Sequence, residues 1–144
     1  MRIFPDANVL VAAFMWEEGV CAKIVEALLE EKQHDLIVGE WVLEEAKDTL
    51  HEDFSVPPAR TSEFENLLCR GERSFRQETP LALSPYRVED PDDAVVLASA
   101  LTAEADVLVT GDKALLNIAE AVRQAEGLII IHPAAFWQAK GSLW

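Results

Sequence analysis

Residues 105–116 run Ala105-Asp106-Val107-Leu108-Val109-Thr110-Gly111-Asp112-Lys113-Ala114-Leu115-Leu116. The segment Val107-Leu108-Val109 is apolar throughout, as in a strand buried on both faces. Thr110-Gly111 interrupts it, and Asp112 stands where an N-cap would start the next helix. The spacing predicts a strand over 105–109 and a helix over 113–119, with an acid at the turn between them. A strand that passes directly into a helix is the repeating unit of an alternating α/β chain.

The same alternation extends outward in both directions. Upstream, Asp90-Pro91 starts a helix predicted to reach Leu101, with Asp90 as N-cap and Pro91 at the first helical position. Met1 to Phe4 is an apolar strand that stops at Pro5. A helix is expected from about Glu17 to Lys32, where Val20, Ile24, Ala27 and Leu28 recur at three and four residues. Asp35-Leu36-Ile37-Val38-Gly39 reads as a second buried strand, and 41–50 as a helix with Trp41, Ala46 and Leu50 facing inward. Asp53 to Ser62, with Pro57-Pro58, is expected to be a linker. Ser62 to Arg70 is expected to be helical and Gly71 to Val88 irregular. Downstream, Gly127 to Ile131 reads as a strand, and His132 to Trp144 as a short covering helix with a tail. Apolar strands separated by helices imply a parallel sheet covered on both faces, in one domain spanning 1–144.

Composition narrows the function classes. Of 144 residues, half are hydrophobic and 26% charged, which suits a folded soluble domain rather than a disordered one. Twelve Lys and Arg against 26 Asp and Glu give a net charge of −14. Such a field repels nucleic acid and anionic membrane unless a metal ion or a local basic patch intervenes. Cys21 and Cys69 have no CxxC spacing, so neither a disulfide scaffold nor a zinc site is expected. The N-terminal stretch has no secretory cleavage pattern. No run approaches the roughly 20 apolar residues that span a bilayer. A cytoplasmic location is expected.

In open parallel sheets, ligands bind at the carboxyl ends of the strands. Asp6 follows the first strand, Asp112 follows the strand at 105–109, Asp93 lies in the first turn of the helix before it, and Glu45 lies on the helix after the second strand. Each has an ordinary structural role open to it: N-cap, dipole partner or solvated helical acid. Together, at one sheet edge, they would repel one another unless they shared a hard cation such as Mg²⁺ or Mn²⁺. His34, His51 and His132 are scattered and read as surface or satisfied residues.

These residues resemble the motifs of the PIN-domain family, small metal-dependent ribonucleases that include the VapC-like toxins of toxin–antitoxin pairs. Asp6-Ala7-Asn8-Val9-Leu10-Val11 is similar to the first motif. Gly39-Glu40-Trp41-Val42-Leu43-Glu44-Glu45-Ala46 is similar to the second, with Glu45 placed as the ligand and Glu44 or Glu40 as alternatives. Asp90-Pro91-Asp92-Asp93 is similar to the third, with Asp93 preferred over Asp90 and Asp92. The segment 105–116 is similar to the fourth, and the likeness runs from Arg2 to about Phe136. Glu40 departs from the Ser found in many relatives.

The resemblance implies a three-layer α/β/α, Rossmann-like fold. It implies hydrolysis of RNA phosphodiester bonds to a 5′-phosphate and a 3′-hydroxyl. Asp6, Glu45, Asp93 and Asp112 would hold Mg²⁺ or Mn²⁺, with Thr110 and Asn8 supporting them. A small antitoxin protein and a homodimer are the implied partners. The acidic surface and the apolar end formed by Phe136, Trp137 and Trp144 are candidate contacts for them.

Substrate grip is assigned to Arg70, Arg73, Arg76 and Lys113. The window from Arg60 to Arg87 holds five basic residues against four acids, the least acidic part of the chain. Two other classes compete. A phosphatase of the haloacid-dehalogenase type would carry a second Asp two residues after the first, where this chain has Asn8. A non-catalytic domain would use the acidic pocket only to bind a cation or a partner.

Overall fold

A computed structural model of the protein describes residues 1–82, 86 and 88–139. The elements are β1 (Arg2–Pro5), α1 (Ala7–Met15), α2 (Val20–Glu30), β2 (Asp35–Gly39), α3 (Glu40–Phe54), α4 (Pro58–Cys69) and β3 (Ser74–Gln77). They continue with α5 (Pro91–Thr102), β4 (Val107–Val109), α6 (Lys113–Asn117), α7 (Ala119–Glu126), β5 (Ile129–Ile131) and α8 (Pro133–Gln138). The strands form one sheet in the order β3-β2-β1-β4-β5, and every pairing is parallel.

Neighbouring strand residues point to opposite faces. Ile3 and Phe4, the run from Leu36 to Val38 and the run from Val107 to Val109 are all buried. Both faces of the central strands are therefore covered, and the fold is a three-layer α/β/α sandwich. The chain works outward from β1 to β2 and β3, then crosses to β4 and β5 on the other side. The reversal leaves a crevice between the carboxyl ends of β1 and β4. That position is where open α/β sheets bind ligands.

Several local differences from the sequence expectation have physical reasons. Residues 7–15 form a helix, α1, that no periodic stripe announced, because nearly every one of its positions is apolar. The expected linker over 53–62 shrinks to 55–57. Helix α3 runs on to Phe54, where Ser55 takes a left-handed conformation (φ 53°). Pro58 then opens α4 at a position where its missing N–H costs nothing. β3 was read as irregular because Ser-Phe-Arg-Gln has one apolar residue; as an edge strand it needs no more, and Phe75 is exposed.

The expected helix over 113–119 divides at Ile118, and a further helix, α7, follows to Glu126. It ends at Gly127, whose φ of 77° suits glycine and few other residues. Phe136, expected to serve partner contacts, is fully buried in the core instead. Its helix α8 packs against α2, so the apolar end of the chain completes the molecule's own interior. Trp137 is half-buried against that core. Trp144, Pro85 and Arg87 lie outside the described residues.

Close packing reaches the edge of the crevice. A Cβ added at Gly39 would lie 2.6 Å from Cζ of Phe4, which is itself fully buried. The glycine thus lets β2 and the start of α3 approach β1. This brings the helix that carries Glu45 close to the strand that ends in Asp6.

Candidate metal centre

β1 ends at Pro5, and the backbone N–H of Asp6 still donates to Val109 of β4 at 2.9 Å. The sheet ladder thereby fixes Asp6 at the crevice. Asp6 is the N-cap of α1: Oδ1 accepts from the Ala7 N–H at 2.7 Å. Its other oxygen, Oδ2, accepts from the Thr110 hydroxyl at 2.7 Å and from Asn8 Nδ2 at 3.2 Å. The capping role and a site role are therefore compatible in one side chain.

Thr110 is fully buried and is the hub of this network. While its hydroxyl donates to Asp6, it accepts from the Asp112 N–H at 3.0 Å and from Asn8 Nδ2 at 3.3 Å. Asn8 also accepts from the Gly111 N–H at 3.0 Å, so its amide laces α1 to the turn after β4. Asp112 in turn caps α6, its Oδ1 accepting from the Ala114 N–H at 2.8 Å. The sequence leaves Asn8 open between an orienting amide and a helix cap; its side chain bonds Asp6, Thr110 and Gly111.

Asp6, Asn8, Glu45, Asp93 and Asp112 line a single cleft of about 530 Å³. Thr110 lies beneath it through its bond to Asp6. Asp48 and Glu52 also line the cleft, from the same face of α3 as Glu45; their spacing of three and seven residues from Glu45 was a signal in the sequence that went unused. Asp90 and Asp92 line it from the start of α5. Among the described residues, eight that line the cleft are acids and none is basic.

This crowding shows in the proton affinities. Burial, above all, pushes the Asp93 carboxyl up to about 7, helped by its close neighbour Asp112 and by Asp90 and Asp6. Burial also raises Asp6, partly offset by its hydrogen bonds from Thr110 and Ala7. Glu45 is raised by burial, partly offset by a hydrogen bond from Trp41.

The donor set suits a hard divalent cation. Every inward group is an oxygen, and Asp93 Oδ2 is buried without a hydrogen-bond donor among the described residues. A cation would satisfy that oxygen and relieve the repulsion. Among the described residues, however, no three acid, histidine or cysteine side chains form a ready-made cage. The arrangement fits an ion that keeps much of its water, as Mg²⁺ does with one or two direct carboxylates.

The Trp41 indole N–H donates to Glu45 Oε1 at 2.8 Å, one helical turn away. It therefore selects the rotamer in which Glu45 lines the cleft. Replacing Trp41 by Phe keeps most of the packing and deletes this donor. The expected result is Mn²⁺ affinity weakened on the order of tenfold by calorimetry, with little change in melting temperature. Equal affinity in the two proteins would show that Glu45 needs no such anchor.

The three arginines assigned to substrate grip lie elsewhere. Arg70 and Arg73 precede β3, which places them at the amino edge of the parallel sheet, opposite the cleft. Arg73 is tied to Asp35 there, with 2.6 Å between Nη2 and Oδ1. Arg76 lies on edge strand β3 beside Glu65 (3.6 Å) and Glu40 (3.9 Å). The structure does not bring these three arginines to the cleft. Lys113 is exposed directly after Asp112, at the start of α6. Cys21 and Cys69 are free thiols.

Comparison with known proteins places the fold and the family. No curated protein sequence is significantly similar to the chain. Among solved structures it is similar to a chain in the crystal structure of VapBC2 from Rickettsia felis bound to a DNA fragment from their promoter, at a TM-score of 0.59 and 14% identity. That likeness covers 92% of this chain and 98% of the other, and at such low identity it speaks to the fold alone. The sequence model of the PIN domain matches residues 2–114, a span that contains all four carboxylates and Thr110. The chain belongs to the PIN-domain family.

Proposed function

We propose that the protein is a metal-dependent endoribonuclease and the toxin of a toxin–antitoxin pair. One observation carries this reading: four carboxylates from four separate segments line one cleft at the point where the strand order reverses. PIN domains are generally nucleases that use divalent metals. Asp6, Glu45, Asp93 and Asp112 would hold Mg²⁺ or Mn²⁺. When bound, such a cation offsets charge on the scissile phosphodiester and makes an attacking water more acidic.

The chain's own residues prepare that chemistry. Ala7 and Thr110 hold both oxygens of Asp6 in fixed directions, so the carboxylate needs no reorganisation on binding. Asn8 locks the turn that carries Asp112 to the helix that starts at Asp6. Trp41 anchors Glu45. Eight acids line the cleft among the described residues, so a metal ion that offsets their charge favours entry of an RNA phosphate, and binding and cleavage depend on it.

The likeness in fold to a chain of VapBC2 supports an antitoxin partner. The net charge of −14 suits a basic segment on such a partner. A homodimer and a cytoplasmic location complete the proposal. Among the described residues no helix is long and apolar enough to cross a membrane.

The test is incubation of the purified protein with a labelled single-stranded RNA. Cleavage to 5′-phosphate ends is expected in Mg²⁺ or Mn²⁺ and none in EDTA. Cleavage that persists in EDTA, or that fails with every divalent cation, would refute the assignment. A small protein encoded beside this one should copurify with it and suppress cleavage.

A further inference from the structure

We propose that Trp16, braced by Phe54, is a stacking platform for an unpaired nucleobase of the RNA strand next to the acidic cleft. The inference rests on the nuclease proposed above and adds how the substrate is held. Trp16 and Phe54 are two of the few large apolar side chains left exposed, at 55% and 39%. They touch each other at right angles, with ring centroids 6.1 Å apart. The Trp16 backbone is fixed on both sides: its N–H donates to Ala12 and its carbonyl accepts from Gly19, each at 2.9 Å. A rigidly carried indole in water forgoes a large hydrophobic gain, which a stacked base would recover.

Position gives this exposed pair a use. Trp16 lines the acidic cleft, and it also lines an adjoining groove of about 650 Å³ whose walls include Phe14, Phe54 and Pro57. It is the common wall of the two. The described lining of the acidic cleft is dominated by eight carboxylates, so a strand crossing it gains from being held through its uncharged parts. Stacking on an aromatic face meets that need and is available to any base. Arg60, the one cation among the described residues lining the groove, stands 5.3 Å from the centroid of the Phe14 ring and can meet a neighbouring phosphate. Glu17 and Glu18 also line the groove, so stacking rather than charge must supply the affinity. A base on Trp16 would leave the adjacent phosphodiester beside the Asp6 and Glu45 wall.

Steady-state cleavage of a short single-stranded RNA of mixed sequence provides the test. Trp16→Leu is expected to raise KM about tenfold, in line with the loss of one stacked base, with kcat changed much less. Trp16→Phe should remain close to the parent protein. An abasic nucleotide moved through the substrate should reveal one position at which parent and Trp16→Leu have the same KM. If the parent cleaves RNA and Trp16→Leu has an unchanged KM, the platform is wrong and the nuclease stands; the aromatic pair would then belong to a protein contact. If the parent cleaves no RNA with any divalent cation, both proposals fall together. Melting temperatures of the two variants should match the parent, because Trp16 is largely solvent-exposed.

Discussion

Asp6→Asn is expected to cut RNA cleavage by roughly 10²–10³-fold or more while leaving the fold intact. The argument starts from what the substitution retains. An asparagine oxygen can still cap α1 through the Ala7 N–H, so the helix start is kept. Its amide nitrogen replaces the oxygen that accepts from Thr110 and Asn8. The Thr110 hydroxyl, which already accepts from the Asp112 N–H and Asn8, loses its acceptor, and the Asn8 contact to residue 6 is lost. What disappears is a full negative charge at the crevice. That charge is costly in the metal-free protein, since burial disfavours it. The variant should therefore melt at or above the parent temperature in EDTA and gain less from added Mg²⁺. A variant that melts far below the parent would mean Asp6 is chiefly a structural cap. Undiminished cleavage would remove it from the machinery.

The second large effect couples pH to the cation. Asp93 has an ordinary value of 3.8 and is pushed up to about 7 in the folded protein; Asp6 is raised as well. For a carboxyl raised by folding, the native state binds more protons than the unfolded state between the two values. Stability from these groups is thus present at low pH and is lost as pH rises from about 4 toward 7. A divalent cation takes the deprotonated form, so its stabilising effect grows over the same range.

The metal-free protein should melt several degrees lower at pH 8 than at pH 5, and Mg²⁺ should restore more at pH 8. Asp93→Asn should flatten much of the metal-free decline. This comparison isolates the site from the general self-repulsion of a chain with a net charge of −14, which the variant barely changes. A metal-free profile that rises with pH, or an Asp93→Asn profile as steep as the parent's, would contradict the account. Differential scanning calorimetry at constant ionic strength gives the answer.

The sequence exposed these features unevenly, and the reasons are physical. β2 was readable to the residue because Leu36, Ile37 and Val38, three apolar residues in a row between a charged turn and Gly39, are all buried. The start of α5 was equally plain, since Asp90-Pro91 combines a capping acid with a proline at the first helical position. Helix α1 was hidden by its own hydrophobicity: periodicity needs contrast, and 7–15 has little. β3 was hidden by its place at the sheet edge, where only part of a strand needs to be apolar.

Asp6, Asp93 and Asp112 were legible because each sits at a strand or helix boundary, where local signals are strong; Glu45, inside α3, rested on the family resemblance, and Asp48 and Glu52, farther along the same helix, gave no such signal. Asp6 and Asp112 each cap a helix through Oδ1 and also line the cleft, so the capping signal in the sequence does not exclude a place at the site. The arginines were misplaced for the opposite reason. Charge counting along the chain cannot tell the amino edge of a sheet from its carboxyl edge. Once β3 is seen to run parallel to β2, Arg70 and Arg73 must lie away from the site. Trp16 carried no sequence signal beyond its size, and Trp41 only that of an inward-facing helix position; their meaning came from what they border and what they bind.

The central claim is that the clustered carboxylates share one divalent cation. A crystal grown or soaked in Mn²⁺, with anomalous scattering recorded at the manganese edge, tests it most directly. The account predicts a peak in the cleft between β1 and β4, with at least one oxygen of Asp6, Asp93 or Asp112 at roughly 2.1 Å and water completing the shell. A fully soaked crystal with no anomalous peak among these residues, or with manganese only at surface acids elsewhere, would contradict it.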